Sequence, residues 1–417
     1  MPLTLRLDRL RTVPTPLRFP LARSITAAVC ALLLGVVGCR RNGFPDVPDG
    51  YREFAYISNG GSNTVTVLDL VYLRLDRTLQ VGTNPTSVTA NPVRNEIYVV
   101  NTQSGTISVI DAGTNRIVAT VPVHRLPSSI AIDPTGHRGY VTNSGSNTVG
   151  VLDLDRRREI AVAGTGEQPG VDRISPDGRS LIVSNRGSNS VSIFDIAPYN
   201  QAAAPEPAPH LRAAFPGCLG AADAVILPDS SKAFVACSAG NQVMAVSLAA
   251  APGSWTAKQN PAQMTDHMLA LLDVGKTPVH LAMKPDGGEI FVSNAGSDSI
   301  SEISTTTNEI GGTYTIGSKP VWGVVSHDNS TLWVANYGAD SIALYSIDDG
   351  RLDPHGIRTG SAPDVLAFSE DEHLLLAADA HSGDVAVIRT DGPSLFTILP
   401  AGTSPNGIAV KAIEKKP

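Results

Sequence analysis

Apolar and polar positions alternate in short segments that recur in a fixed order between residues 54 and 410. A β-branched segment such as 139–142 (GYVT) precedes a turn rich in Asn, Gly and Ser, and a second alternating segment, 148–152 (TVGVL), follows. Asn and Gly tolerate positive φ, so the turn is compatible with a β-hairpin. A third segment comes next, as at 116–121 (RIVATV), and a fourth follows a loop with Gly or Pro, as at 127–134 (PSSIAIDP). The pattern predicts units of four strands.

This four-strand unit occurs eight times. We call the residue that ends the first segment of each hairpin the anchor position. Successive anchors are 42, 42, 42, 52, 57, 42 and 43 residues apart. The anchors are Asn59, Asn101, Asn143, Asn185, Cys237, Asn294, Asn336 and Asp379. Only two units carry insertions, at roughly 198–214 and 249–266, and because both are rich in Ala and Pro we expect surface loops there and no further domain.

Four strands in 42 residues are typical of one blade of a β-propeller. The chain opens on the second strand of a blade, at 54–58, and ends on a lone first strand, at 407–410. We therefore expect the last strand to complete the first blade, which closes the ring and removes exposed sheet edges. The repeats predict one all-β domain of eight four-stranded blades at 54–411, with a tail at 412–417. Seven blades would require the fifth copy, which contains Cys237, to be degenerate.

The repeated motif resembles a known family. The segment 140–149 (YVTNSGSNTV) and its copies are similar to the YVTN-type β-propeller repeats of archaeal surface-layer proteins and many exported bacterial proteins. The resemblance covers about residues 54–410 and implies the propeller fold. We expect the anchor Asn to cap the hairpin turn and to have no catalytic role. The motif therefore indicates a fold and leaves the function open.

The N-terminal segment predicts export. Residues 1–23 contain five Arg, and an apolar run at 24–38, too short for a membrane span of about 20 residues, ends directly before Cys39. Residues 36–39 (VVGC) resemble the bacterial lipobox, which implies a signal peptide at 1–38, diacylation of Cys39 and a tether at 40–53. Arg40 stands where an Asp would retain such a protein at the inner membrane, so the outer membrane is expected. The alternative is an ordinary secretory signal.

Two further cysteines fit an exported chain. Apart from Cys30 and Cys39, only Cys218 and Cys237 remain, and an even pair in an exported protein predicts a disulfide. The bridge would close a loop of about 20 residues, which stabilises by about 3 kcal/mol in the chain-entropy model. The alternative is two buried free thiols.

Composition and charge exclude several classes of protein. With 42% hydrophobic and 17% charged residues, the chain is neither a coiled coil nor a disordered polymer. The formal charge is −7, and residues 1–38 contain five Arg and one Asp, so the rest of the chain carries about −11. An acidic body argues against a nucleic-acid partner.

Candidate ligand-binding residues stand out in the loops before the innermost strands, which form one mouth of the channel in a propeller. The eight loops read NPTSV, LPSSI, QPGVD, GAADA, TPVHL, KPVWG, APDVL and SPNGI. The residues that depart from the Ser/Thr/Gly/Val pattern are Asp172, Arg173, Asp223, His280, Trp322, Asp364 and Asn406, with Ser87 and Ser129 as smaller polar members. An aromatic ring and several carboxylates at one mouth suit a saccharide or a cation held by oxygen atoms. The alternative is that they are solvated rim residues without a ligand.

Motifs for resident cofactors, metals and nucleophiles are absent from the sequence. C-x-x-C-H, H-E-x-x-H, G-x-S-x-G and the P-loop do not occur, and the nine His are dispersed. We therefore expect no cofactor and no metal site, and we assign no catalytic residue.

Three classes of function remain open. The first is a non-catalytic, monomeric envelope propeller that binds a protein or glycan. The second is a lactonase-like hydrolase, because 331–371 (TLWV…AFSED) also resembles the seven-bladed lactonase propellers; its site would need Asp172, Arg173, Asp223 and His280. The third is a haem d1-type cofactor carrier, because the haem d1 domain of nitrite reductase is an eight-bladed propeller with similar repeats. That class needs an axial His, and His280 is the candidate. The first class is the expectation.

Overall fold

The computed structural model of the protein describes residues 48, 50–196, 208–251 and 264–413. The expected signal peptide and Cys39 lie outside these residues, as do most of the two insertions. The regular elements of the described chain are β-strands, and none of its segments is a helix long and apolar enough to cross a membrane.

The strands form eight antiparallel sheets, which we number as blades from the first strand. Blades 1 to 3 consist of β1 (Arg52–Asn59), β2 (Thr64–Asp69) and β3 (Arg74–Gln80); β4 (Pro85–Ala90), β5 (Glu96–Asn101), β6 (Thr106–Asp111) and β7 (Arg116–Pro122); and β8 (Pro127–Ile132), β9 (Arg138–Asn143), β10 (Thr148–Asp153) and β11 (Arg158–Gly164). Blades 4 and 5 consist of β12 (Pro169–Ile174), β13 (Ser180–Asn185), β14 (Ser190–Asp195) and β15 (His210–Pro216); and β16 (Ala221–Ile226), β17 (Lys232–Cys237), β18 (Gln242–Ser247) and β19 (His267–Asp273).

Blades 6 to 8 follow the same order. They consist of β20 (Pro278–Met283), β21 (Glu289–Asn294), β22 (Ser299–Ser304) and β23 (Glu309–Thr315); β24 (Pro320–Val325), β25 (Thr331–Asn336), β26 (Ser341–Ser346), β27 (Arg351–Leu352) and β28 (Ile357–Arg358); and β29 (Pro363–Phe368), β30 (Leu374–Asp379), β31 (Asp384–Arg389) and β32 (Ser394–Pro400). The last strand, β33 (Pro405–Ile413), returns to blade 1.

The ring closes through the two ends of the described chain. Strand β33 pairs antiparallel with β1, from Arg52 opposite Ile413 to Asn59 opposite Pro405. The innermost strands β33, β4, β8, β12, β16, β20, β24 and β29, which we call the inner strands, contact one another in sequence around the ring. The protein is therefore an eight-bladed β-propeller closed by its last strand, as the repeats predict. The seven-blade alternative is wrong, because the copy with Cys237 forms a complete four-stranded sheet.

Apolar side chains fill the interfaces between neighbouring blades. Tyr56 and Val67 of blade 1, for example, pack with Ile97 and Val99 of blade 2, and all four are fully buried. The outer strands alternate between exposed and half-buried residues, as in β7. Each blade therefore buries both faces of its central hairpin and leaves its outer edge to solvent.

The anchor Asn has a structural role in the hairpins. The Nδ2 of Asn59 donates to Thr64 Oγ1 at 3.1 Å and to Thr66 Oγ1 at 3.0 Å, across the hairpin. The amides of Asn101, Asn185 and Asn294 make the same pair of bonds to hydroxyls five and seven residues later. The amide thus joins the two strands of the hairpin and does not cap the turn itself.

A second Asn, in the hairpin turn, joins one blade to the next. Asn63 has a φ of 58°, and its Oδ1 accepts a hydrogen bond of 2.8 Å from the backbone N–H of Asn84, which precedes β4. The same link recurs from Asn147, Asn189, Asn241, Asp298 and Asp340. Asn and Asp are favoured at such a position because they tolerate a left-handed backbone and carry a short acceptor. We call these contacts the interblade links.

The predicted disulfide joins Cys218 to Cys237, with Cα atoms 4.8 Å apart. Cys237 is the anchor of blade 5, and Cys218 lies three residues before β16. Most other blades have Gly at the position that Cys218 takes in blade 5. In blade 2, for example, an added Cβ on Gly82 would lie 2.7 Å from Cβ of the anchor Asn101. The bridge therefore replaces a Gly–Asn contact that most other blades make without a covalent bond.

Two outer strands differ from the sequence-based expectation. Strand β15 begins at His210, so the last five residues of the expected insertion 198–214 belong to blade 4 instead. Their alternating pattern of exposure matches that of other outer strands. In blade 7 the outer strand is split into β27 and β28 around residues 353–356.

Candidate binding site on the inner strands

The inner strands present side chains in register around the channel. Seven of the eight begin with Pro, and a β-bulge follows the first residue of each. The third residues are Ser87, Ser129, Val171, Asp223, His280, Trp322, Val365 and Gly407. The fifth residues are Thr89, Ala131, Arg173, Val225, Ala282, Val324, Ala367 and Ala409. The ionisable and aromatic side chains at these two positions are thus all on blades 4 to 7.

Three ionisable side chains from consecutive blades form one network. Arg173 Nη2 donates to Asp223 Oδ1 at 2.9 Å. The other carboxylate oxygen, Oδ2, lies 2.8 Å from His280 Nδ1 and accepts a bond of 3.2 Å from the Leu281 N–H. Burial raises the pKa of the Asp223 carboxyl, but Arg173 and His280 outweigh burial and lower that pKa to about 2. Asp223 is therefore a fixed carboxylate with both oxygens in use.

His280 is held on three sides. Its Nε2 lies 3.0 Å from the carbonyl oxygen of Gly323, and its ring stacks on Trp322 with centroids 3.9 Å apart. Nδ1 faces a carboxylate and Nε2 faces a carbonyl, so both ring nitrogens have an acceptor inside the protein. The His280 side chain is only 10% exposed. His280 is therefore fixed by contacts within the protein.

Arg173 is the part of the network that is open to the channel. Its side chain is 39% exposed. Nε donates to Ala224 O at 3.1 Å and Nη1 donates to Asp172 O at 3.0 Å. These bonds and the pair with Asp223 fix the guanidinium plane.

Asp172 lies behind the strand and away from the mouth. It is fully buried at the fourth position of β12, where the other inner strands have apolar residues or Gly. Burial raises the pKa of its carboxyl to about 6; Ser129, Arg173 and the Ala131 N–H lie near enough to offset part of that effect. Among the described residues, neither carboxylate oxygen has a well-formed hydrogen bond.

Asp364 and Asn406 do not join this network. Burial raises the pKa of Asp364, and nearby Lys319 and His381 counteract the effect. Asn406 has a structural role: its Oδ1 accepts from Ser58 Oγ at 2.7 Å, and its Nδ2 donates to Pro85 O at 3.0 Å.

The cluster around Asp364 contains residues that the sequence analysis did not select. Tyr337 Oη and His381 Nε2 share a hydrogen bond of 2.8 Å, and Lys319 Nζ lies 4.3 Å from the Tyr337 ring centroid. Their positions in the repeat could have identified these residues from the sequence. Lys319 precedes the Pro of an inner strand, and Tyr337 and His381 follow the anchors by one and two residues, so all belong to loops at this mouth.

A separate cleft of about 590 Å³ lies between blades 7 and 8. Trp333 and Phe368 contribute aromatic surface to it, and Asp328 and Asp371 come from the loops that follow β24 and β29. Loops that follow the inner strands lie at the end of the ring opposite to the loops that precede them. The cleft is therefore on the other face from the network.

Comparisons with known proteins agree with the architecture. Residues 323–395 match the family model described as "Lactonase, 7-bladed beta-propeller". These residues form most of blades 7 and 8, the segment whose sequence resembles lactonases, and the ring has one blade more than that description. No curated protein has a matching sequence.

Solved structures share the fold at low sequence identity. The dihydro-heme d1 dehydrogenase NirN has a TM-score of 0.68 and 14% identity, covering 85% of this chain and 74% of that chain. Apo AztD from Citrobacter koseri has a TM-score of 0.62 and 11% identity, covering 87% and 98%. Hydrazine synthase from Kuenenia stuttgartiensis has a TM-score of 0.55 and 19% identity, covering 74% and 97%. At these identities the similarity shows a common fold alone.

Proposed function

We propose that the protein is an exported, lipid-anchored β-propeller of the YVTN type that binds a glycan or protein of the bacterial cell envelope at its channel mouth without catalysis. The observation that carries the proposal is the arrangement of His280. Its ring stacks on Trp322, both of its nitrogens face acceptors inside the protein, and its side chain is only 10% exposed, so neither nitrogen is available to a substrate or a metal without a change in these contacts.

The carboxylates near His280 support binding rather than hydrolysis. A general base works best when its pKa lies near the working pH. The pKa of Asp223 is lowered to about 2, and both of its oxygens are occupied. Asp172 has a pKa nearer to neutral but is fully buried, so a substrate does not reach it without movement of β12.

The second candidate function is a lactone hydrolase. The match of residues 323–395 to the lactonase family model favours it. Arg173, Asp223 and His280 would have to exchange their present bonds for bonds to substrate.

A haem d1 carrier is supported less well, although NirN shares the fold. His280 is the only His on the eight inner strands. Since both of its nitrogens are engaged, the channel wall does not fit a group that needs an axial imidazole.

A pH-stat assay of the purified protein with a panel of sugar lactones, with and without a chelator, separates binding from hydrolysis. We expect no turnover above the uncatalysed rate from a sample whose circular dichroism shows folded β-sheet. Turnover that is lost in Asp223→Asn and His280→Gln, and kept in the exposed control Asp348→Asn, would overturn the proposal and establish a hydrolase at the channel mouth.

Lipid anchoring is tested separately, by metabolic labelling with a palmitate analogue in a bacterial host. Cys39→Ala is expected to lose the label and leave the membrane fraction, whereas Cys30→Ala, which changes a cysteine inside the apolar run, is expected to keep both. Equal labelling of the two variants would contradict an anchor at Cys39.

A further inference from the structure

The charge on the channel wall comes from few residues. At the third and fifth positions of the inner strands, the ionisable side chains are Arg173, Asp223 and His280. The other positions at these two levels hold Ser, Thr, Ala, Val, Gly and Trp322. A ligand in this part of the channel therefore meets one acidic and two basic groups.

The single acid is neutralised within the network. Asp223 lies 2.9 Å from the guanidinium of Arg173 and 2.8 Å from the ring of His280. The carboxylate of Asp223 is therefore paired with the fixed charge of Arg173 and is also held by His280. Its oxygens are already used by Arg173, His280 and the Leu281 N–H, so it has little left for a cation. The described residues also contain no group of three or more acidic, His or Cys side chains that could hold a metal ion.

Arg173 has N–H groups that are not used within the network. A guanidinium carries five N–H bonds. Three of those in Arg173 go to Ala224 O, Asp172 O and Asp223, so two have no partner among the described residues, and the side chain is 39% exposed. Charge-assisted bonds from a fixed guanidinium to a carboxylate are roughly twice as strong as neutral hydrogen bonds.

The third position of the inner strands suits a hydroxylated ligand. Trp322 and Ser87 are both partly exposed there, and the Trp322 ring lies beside His280. Aromatic surface with a few placed polar groups is the usual make-up of small-ligand sites.

We propose that the channel mouth binds a saccharide that carries a carboxylate, with the carboxylate on Arg173. This inference rests on the proposed binding function and narrows its ligand to an acidic glycan. Asp172 lies close behind Arg173, and burial raises its pKa to about 6. Binding is therefore best measured at pH 5.5, where Asp172 is mostly protonated and the charge of Arg173 is least offset.

The test compares trigalacturonic acid with its fully methyl-esterified form, in which an uncharged ester replaces each carboxylate. Calorimetric titration of the full-length protein at pH 5.5 is expected to show about tenfold or greater preference for the free acid, since an ester removes the charge-assisted bonds. Arg173→Gln is expected to abolish that preference. Arg116→Gln, which removes the same charge from the outer strand of blade 2, is expected to keep it.

The outcomes separate this inference from the proposed function. Equal binding of acid and ester by the unaltered protein would overturn the acidic ligand and leave a binding propeller in place. Binding of neither probe would also overturn the acidic ligand, while the lactone assay still decides between binding and hydrolysis. Because the acid–ester comparison uses the unaltered protein, it does not depend on whether Arg173→Gln folds; Arg173→Lys, which keeps the charge, provides a second variant with an intermediate preference expected.

Discussion

At the scale of single residues, blade 8 departs from the hairpin chemistry of the other blades. Asp379 takes the anchor position that Asn fills in six blades, and Asp384 takes the place of the Thr or Ser five residues later. The two residues lie opposite each other on β30 and β31. An amide bonded to a hydroxyl is thus replaced by two carboxyl groups, which can hydrogen-bond to each other only if one of them carries a proton.

Asp379→Asn is expected to reduce the pH dependence of stability. Burial, together with Asp384, raises the pKa of Asp379 to about 7, although Thr359 and the Gly360 N–H counteract this. Its ordinary value is 3.8, so between these values the folded state binds more protons than the unfolded state, and stability falls as the pH rises from about 4 to about 7. In the variant, the decrease in the free energy of unfolding between about pH 4 and pH 7 is expected to be smaller by about 1 kcal/mol or more.

Urea unfolding at pH 4, 5.5, 7 and 8 measures this effect. Asp348→Asn, in an exposed turn of blade 7, is the control and is expected to follow the unaltered protein. A slope in Asp379→Asn equal to that of the unaltered protein would show that the pair does not share a proton.

At the scale of elements, the hairpin and the loop before each inner strand fit together through small residues. An added Cβ on Gly82 would lie 2.7 Å from Asn101 Cβ and would also meet Ser104 Oγ. Gly166 and Gly275 are equally close to their anchors. In blade 5, the Cys218–Cys237 disulfide takes the place of this contact. The glycine is therefore required by the close approach of two segments, rather than by a positive φ.

Gly82→Ala is expected to destabilise the protein by about 1–3 kcal/mol, because the methyl group has no space beside the buried anchor. Gly164→Ala is the matched control: Gly164 ends β11, its Cβ would meet nothing within 4 Å, and the change is expected to stay within about 0.5 kcal/mol. Urea midpoints of the two variants give the comparison. Equal midpoints would contradict the packing argument.

The local sequence pattern predicts the strands better than it predicts the contacts of the candidate binding site. The strand order and the closure by the last strand follow from the repeat, because residues within one unit determine its hairpins. The Cys218–Cys237 bridge follows from an even pair of cysteines in a chain expected to be exported. The contacts of Asp223 with Arg173 and His280 join residues at least 50 positions apart, and only the assembled ring brings them together. Asp172 was expected at the mouth, but it falls at the fourth position of its strand after the bulge, and a shift of one residue moves a strand side chain to the other face.

At the scale of the whole molecule, the ring depends on one pairing between distant parts of the chain. Strand β33 fills the inner position of blade 1, so β1 would be an exposed edge without it. The apolar interface between blades 1 and 2 also includes Ala409 and Ile413 of β33. Closure therefore contributes both hydrogen bonds and buried surface.

Removal of residues 405–417 is expected to lower the thermal midpoint by about 10 °C or more, or to cause aggregation, because β1 loses its partner and the neighbouring apolar surface is exposed. Removal of residues 414–417 alone keeps β33 and is expected to leave the midpoint unchanged. Thermal melts with size-exclusion chromatography compare the two truncations. A cooperative, monomeric melt of the longer truncation at the original temperature would contradict a structural need for closure.

The interblade links bear on how such a ring changes its size over generations. Each link runs from a turn side chain of one blade to a backbone N–H at the start of the next, as from Asn63 to Asn84. Every amino acid except Pro supplies a backbone N–H, so the link requires no particular side chain at the start of the next blade. After tandem duplication of one repeat, the new blade would therefore offer its own turn side chain to the next blade. Its backbone N–H would bond to the turn side chain of the preceding blade. Gain or loss of a single blade requires no coordinated second mutation at these joints, which makes rings of seven and eight blades accessible to one another by recombination within the gene.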